Sequence, residues 1–259
     1  MSELKFRFGV QTEPLVRMPE GLSHVVMLTE MLRNLFSHSI LLMDYEGRIH
    51  CANDTVVRGF MMDSADELYM KTYRDFAPEA WANERINLFQ HVIDTGESST
   101  LLEIFAGYKL RSRIRHIPVP TEQSPKGYVL ITVERLDSRV FDYLCESNLD
   151  LNIVHANHID LGRLDVLSTR ELEVLALMGQ GYRAREIASM LFRSVSTIEN
   201  HRENIGKKLG VTDRAELARI AQTAVLRVED ANRTRVQFSV NSSTVTSESL
   251  PDEPFLSRK

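Results

Sequence analysis

The chain has 259 residues, of which 43% are hydrophobic and 26% charged, the balance of a packed globular protein of one large or two ordinary domains. A formal net charge of -5 excludes a chain that is cationic overall and drawn to nucleic acid or membrane by bulk charge. No run of about 18 apolar residues occurs, which excludes a helical membrane span; the N-terminus lacks a signal-peptide pattern, and Cys51 and Cys145 share no framework spacing, so a cytoplasmic location is expected.

Residues 1–24 read as an irregular polar lead-in. In "MLTEMLRNLF" (27–36), Leu28, Met31, Leu32 and Leu35 fall at helical spacing. The apolar run 40–43, the turn pair Glu46-Gly47 and "RIHCA" predict a hairpin. Residues 79–94 predict a longer amphipathic helix with Trp81, Ile86, Phe89 and Ile93 near one face, capped at Thr95-Gly96. Strands are predicted at 99–105, 110–119 and 127–136. In the second, Arg113, Arg115 and Ile117 alternate with Ile114, His116 and Pro118 and form a polar face. Leu41, Leu42, Phe89, Leu101, Ile104, Val129 and Ile131 are the expected core. Residues 25–136 therefore read as an α+β domain, an antiparallel sheet with flanking helices. Residues 137–162 have no sustained period and read as a connector. Residues 229–259 are rich in Ser and Thr and read as a disordered tail.

Residues 163–228 are helical throughout in their pattern. Ser168 and Glu171 make a capping box, Leu172, Leu175 and Ala176 supply a core stripe, and Gly179 and Gly181 end the first helix. The second turns Ile187, Ala188 and Leu191 inward. Ser194 caps a third, whose Ile198, Ile205 and Leu209 share one face, and Gly210 ends it. A fourth starts at Asp213. Four short helices with a tight junction between the second and third describe an all-α helix-turn-helix unit. Charge agrees: residues 164–228 hold 10 Lys and Arg against 8 Asp and Glu, whereas residues 1–163 hold 17 against 23.

The motifs in this segment resemble the LuxR-type helix-turn-helix regulators. They are Leu167, Ser168, Arg170, Glu171, Glu173, Val174 and Leu175; then Gly181, Glu186, Ile187 and Ala188; then Ser194, Thr197, Ile198 and His201; and finally Lys208, Leu209 and Val211. The resemblance implies a DNA-binding domain whose two-helix core runs from about Tyr182 to His201, with Thr197 at phosphate and Glu199, Asn200 and Glu203 toward base edges. It also implies a homodimer joined through the fourth helix. Many family members carry Lys where this chain has Glu199. A carboxylate there accepts from cytosine N4 or, in the plainer reading, is solvated, with Glu203 pairing Lys207 one turn on. Together with Ser196, the basic residues Arg183, Arg185, Arg193, Arg202, Lys207 and Lys208 complete the expected double-stranded DNA contact surface.

Residues 25–136 resemble a PAS domain, on the opening hairpin with Gly47, Ile49 and Asn53, the long helix and the closing strands. That resemblance implies a small-molecule or protein signal and a tendency to dimerise. No cofactor is evident: Cys51 lies on a strand rather than in a flavin-adduct helix, His91 is displaced from a haem-ligand position, and His155 and His158 lack a third ligand, so they read as solvated and no metal is expected. No nucleophile, phosphate-loop or zinc-protease motif is present, so an enzyme is not expected. The expected function is sequence-specific transcription regulation under PAS control. The alternatives are a PAS domain serving only protein interaction and, more remotely, a receiver-type response regulator.

Overall fold

A computed structural model describes residues 39–60, 62–136, 152–224 and 226–238. The expected helix at 27–36, the first part of the connector and Cys145 lie outside the described residues.

Strands β1 (Ser39–Asp44) and β2 (Ile49–Ala52) form the expected hairpin. Glu-Gly is a weak turn pair, and the buried Asp44 carboxylate closes the turn. It accepts from the Arg48 amide at 2.8 Å and Arg48 Nε at 2.7 Å, and meets His50 Nε2 at 2.9 Å. Helix α1 (Asp54–Gly59) follows, capped by the Asn53 side chain. Helix α2 (Glu79–Thr95) buries Trp81, Ile86, Phe89 and Ile93, and ends at Gly96 with φ 74°, a left-handed position open to glycine.

The three later strands are β3 (Ser99–Phe105), β4 (Tyr108–Ile117) and β5 (Tyr128–Arg135). β4 starts earlier than its apolar pattern suggests. Ala106 and Gly107, both at positive φ, make a two-residue turn that pairs Phe105 with Tyr108. The sheet order β2-β1-β5-β4-β3, with helices against one face, is PAS-like. A sixth strand, β6 (Ile153–His155), comes from the connector and lies parallel to β3. Periodicity does not mark it because three residues carry no period. It forms because the β3 edge offers unpaired backbone groups, which Asn152 and Ala156 help to satisfy at 2.8 and 2.9 Å.

Strand alternation divides the expected core residues among three clusters. Leu41, Phe89, Leu101, Val129 and Ile131 pack between the sheet and α2. Leu42 turns to the opposite face with Tyr128, beside the half-buried Cys51 and Ile117. Ile104 joins the core of the C-terminal unit.

That unit consists of helices α3 (Thr169–Gly179), α4 (Ala184–Met190), α5 (Val195–Leu209) and α6 (Arg214–Ala224). Gly179 is still helical and permits close approach of α6: a Cβ there would stand 2.4 Å from the Ala221 carbonyl oxygen. Gly181, at φ 91°, makes the turn into α4.

Residues 229–238, which begin the region expected to be a disordered tail, are ordered. A 3-10 turn (Val228–Asn232) leads to β8 (Thr234–Arg235), which pairs in parallel with β7 (His158–Ile159). Low apolar content suggested disorder, but its charges have internal partners. Asp230 meets Lys109 Nζ of β4 at 2.7 Å, both side chains almost fully buried. Arg233 donates to the Ala156 carbonyl at 2.9 Å and Arg235 to that of Leu167 at 2.8 Å. His158 is not a freely solvated histidine either. Its Nδ1 lies 3.0 Å from Glu84, whose carboxylate also accepts from the Asn157 and His158 amides.

Candidate nucleic-acid interface

The interface begins with the α3 cap. Ser168 Oγ accepts from the Glu171 amide, and Glu171 Oε2 accepts from the Ser168 amide at 2.7 Å. The same oxygen receives Lys208 Nζ from the end of α5 at 2.6 Å. A single carboxylate thus caps α3 and ties it to α5. Burial pushes the Glu171 carboxyl up, but the bonds from Lys208 and Ser168 outweigh it and hold the group below the usual glutamate range. A depressed folded value gives stability that is complete above the unfolded value, about 4.3, and lost as pH falls through the folded one. Glu171→Gln should therefore lower the melting temperature at neutral pH and flatten the acid limb of a melting-temperature-against-pH curve; an unchanged acid limb contradicts this.

Arg170 holds the junction between α4 and α5. Its guanidinium pairs with Glu173 at 2.5 Å and donates to the Leu191 carbonyl, where α4 ends, at 2.7 Å. Sequence reasoning used Arg170 only as a motif letter, since nothing local shows that it reaches a carbonyl across the fold. In the turn, Phe192 sits at φ 53° and is 88% exposed. Ser194 then caps α5, accepting from the Thr197 amide at 3.1 Å.

Helix α5 buries Ile198 and Ile205, with Leu209 packed partly against the same core. Its opposite face exposes Ser196, Asn200, Glu203 and Lys207, while Thr197, Glu199 and Arg202 are half-buried. Arg183, Arg185 and Arg193 are exposed around α4 and the turn. Ser196, Asn200, Glu203 and Lys207 thus share the exposed side of α5. Several of the predicted residues have partners within the unit. The Thr197 and Ser196 hydroxyls bond Ser194 Oγ at 2.8 and 2.9 Å, and Lys208, still 41% exposed, pairs with Glu171.

Both glutamates on α5 have cationic partners. Glu203 pairs with Lys207 at 2.8 Å, both well exposed. Glu199 accepts from Arg202 at 3.2 Å and lies 4.0 Å from Arg214, which opens α6 and is 84% exposed. Arg214 was not among the predicted residues because it belongs to the next helix. The face thus carries paired carboxylates inside a cationic margin, which lowers their repulsion toward phosphate.

The fold and site define a helix-turn-helix unit joined to a PAS-like domain. Residues 165–221 match the family "Bacterial regulatory proteins, luxR family", and this segment is a LuxR-type helix-turn-helix domain. The chain is 34% identical over 131 residues to the "Oxygen regulatory protein NreC" of Staphylococcus aureus, a match covering 51% of this chain and 54% of that protein. The chain thus spans about half the length of the curated relatives it matches. Among solved structures, a Vibrio cholerae VqmA–ligand–DNA complex aligns over 80% of this chain and 93% of its own, at 17% identity and TM-score 0.45. The PAS domain of nitrogen regulation protein NR(II) from Vibrio parahaemolyticus aligns over 42% of this chain and 98% of its own, at 15% identity and TM-score 0.31. Among the described residues, no helix is long and apolar enough to cross a membrane.

Proposed function

We propose that the protein is a DNA-binding transcription regulator whose α5 helix enters the major groove and whose PAS-like domain controls that binding. The observation that carries this is the division of α5: Ile198 and Ile205 anchor it, while Ser196, Asn200, Glu203 and Lys207 are exposed together, with Arg183, Arg185 and Arg193 exposed at the start of α4 and in the turn before α5. Such a face offers amide and carboxylate groups to base edges and cations to phosphates. In this reading Asn200 reads a base, while Arg183, Arg185, Arg193, Arg202 and Lys207 set register on the backbone. Glu199 acts with Arg202 and Arg214 by orienting their guanidinium groups. A homodimer would place two α5 helices about one DNA turn apart.

The test is selection of duplexes from a random pool at fixed salt, followed by titration of variants. Asn200→Ala should cost about 1–3 kcal/mol on the selected duplex and almost nothing on random DNA. Lys207→Ala should weaken binding to both and flatten the salt dependence. Equal losses on selected and random DNA for Asn200→Ala would remove its readout role, and no enrichment at all would remove the DNA-binding reading.

A further inference from the structure

Large apolar side chains stand in water around the turn between α4 and α5. Met190 is 47% exposed, Phe192 88% and Val195 41%. They fall within six residues, at the end of α4 and the start of α5, so they lie together. Phe192 also sits at φ 53°, a left-handed position that a residue with a Cβ adopts at a cost. Its ring neither fills the core nor relaxes the turn, so the fold gains little from it. Exposed apolar clusters of this kind mark interaction surfaces.

Positive charge borders the patch. Arg193 is exposed next to Phe192, and its Nη1 donates to the Phe192 carbonyl at 3.2 Å. Arg183 and Arg185 are exposed at the other end of α4, a helix only about 10 Å long. Residues 182–195 hold three Arg and one Glu, net +2. The surface therefore suits a short stretch that is acidic and apolar at once. Beyond Phe238 the sequence supplies one. Residues 248–256, "ESLPDEPFL", hold Glu248, Asp252 and Glu253 with no Lys or Arg, net -3, and include Leu250, Phe255 and Leu256. It is also within reach. Arg235 donates to the Leu167 carbonyl at 2.8 Å, and Arg170, three residues on, donates to the Leu191 carbonyl at 2.7 Å, one residue before Phe192. With every link of that route fully extended, Phe192 is no more than roughly 45 Å from Phe238, while the residues between let Phe255 reach about 50 Å from it.

We propose that residues 248–256 of the same chain dock on the patch of Met190, Phe192 and Val195 and compete there with DNA. Phe255 and Leu256 cover the apolar side chains, and Asp252 and Glu253 take the place of phosphates on the arginines. A tether of this kind gives an effective concentration of roughly millimolar order, so a weak contact is enough to keep the segment docked. The first helix of a helix-turn-helix crosses the DNA backbone and the second enters the groove by its N-terminus, so a segment lying over the turn between them stands in the path of the duplex. The docking stands on the patch and the segment; the competition rests on the DNA-binding reading above.

The experiment uses the full chain and two readouts. With the photo-crosslinker p-benzoylphenylalanine in place of Phe192, irradiation without DNA should link position 192 to a peptide within 248–256 of the same molecule. Phe255→Ser with Leu256→Ser should remove most of that link. No link, or one to another segment or to a second copy, overturns the docking. On the selected duplex, Phe255→Ser with Leu256→Ser leaves the charge unchanged and should lower the Kd about fivefold, the gain when roughly four-fifths of the molecules are docked. Phe192→Gly, which suits the left-handed backbone, should lower it by the same factor, and the combined variant should gain nothing further. Unchanged Kd values or fully additive gains overturn the competition. A weaker Kd in Phe192→Gly overturns it as well, since the ring then touches DNA itself. Failure of every variant to bind any duplex removes the DNA-binding reading and the competition together, while the crosslink still decides the docking.

Discussion

Asp230→Ala should be among the most damaging single substitutions in the protein, costing about 3–5 kcal/mol of stability, because it strands a buried lysine. Lys109 Nζ lies 2.7 Å from Asp230, and the two side chains are 4% and 2% exposed. Burial pushes the Lys109 ammonium down from its ordinary value, with Asp230 pulling the other way. Asp230 also accepts from the Arg227 amide at 2.9 Å and pairs with Arg233 at 3.2 Å, so its loss opens the 3-10 turn (Val228–Asn232) as well. The consequence is separation of the two units. Chemical denaturation should show two transitions where the wild type shows one, and protease should cut between the units. Lys109→Met combined with Asp230→Leu should recover much of the loss, since an apolar pair of similar volume replaces the ions. A double variant no better than Asp230→Ala would mean that the capping bonds, and not the ion pair, carry the energy.

Glu103→Ala should have a comparable cost, about 3–5 kcal/mol, confined to the PAS-like domain. The Arg85 guanidinium is 2% exposed and donates to Glu103 Oε2 from Nε at 3.0 Å and from Nη2 at 2.8 Å. It also donates to the carbonyls of Trp81 and His158 and stacks 3.8 Å from the Trp81 ring centroid. Ser112 Oγ donates to the other Glu103 oxygen at 2.6 Å. Removing the carboxylate leaves the guanidinium buried with two carbonyls and a single longer contact, 3.3 Å, to the Glu84 carboxylate, and takes away the acceptor of the Ser112 hydroxyl. Thermal denaturation should show a fall of roughly 10 °C in the melting temperature. Glu103→Gln keeps the hydrogen bonds but not the charge, so its fall should be smaller. Equal falls for Ala and Gln would show that charge, rather than bonding geometry, holds Arg85.

These expectations separate the two units in a way the sequence alone does not. Removing Asp230 releases residues 226–238, which pack Ala231 into the helix-turn-helix core and Phe238 against the PAS-like core. Removing Glu103 loosens the packing of α2 on the sheet and leaves the helix-turn-helix core intact. The hydrogen bond from Arg85 to the His158 carbonyl joins the PAS-like core to β7, which pairs with β8.

What the sequence determined is whatever repeats or caps locally. Ser168 and Glu171 mark the start of α3, Ser194 that of α5 and Gly96 the end of α2, because each satisfies or releases backbone groups within a turn of itself. Ile198 and Ile205 identify the buried side of α5, and hence the exposed side with Asn200 and Glu203, because helical geometry fixes which residues share a face. The Glu203–Lys207 pair was likewise legible, as partners one turn apart. What only the tertiary structure decided depends on residues far apart in the chain. Lys208 is drawn to Glu171 across 37 positions, and Arg170 reaches Leu191 across 21, contacts that no local pattern announces. β6 exists because the edge of β3 has open backbone groups. Residues 229–238 are ordered because their charges find Lys109, Ala156 and Leu167. Composition registers how polar a segment is, and the partner that makes a polar segment stable is set by the packing of the whole chain.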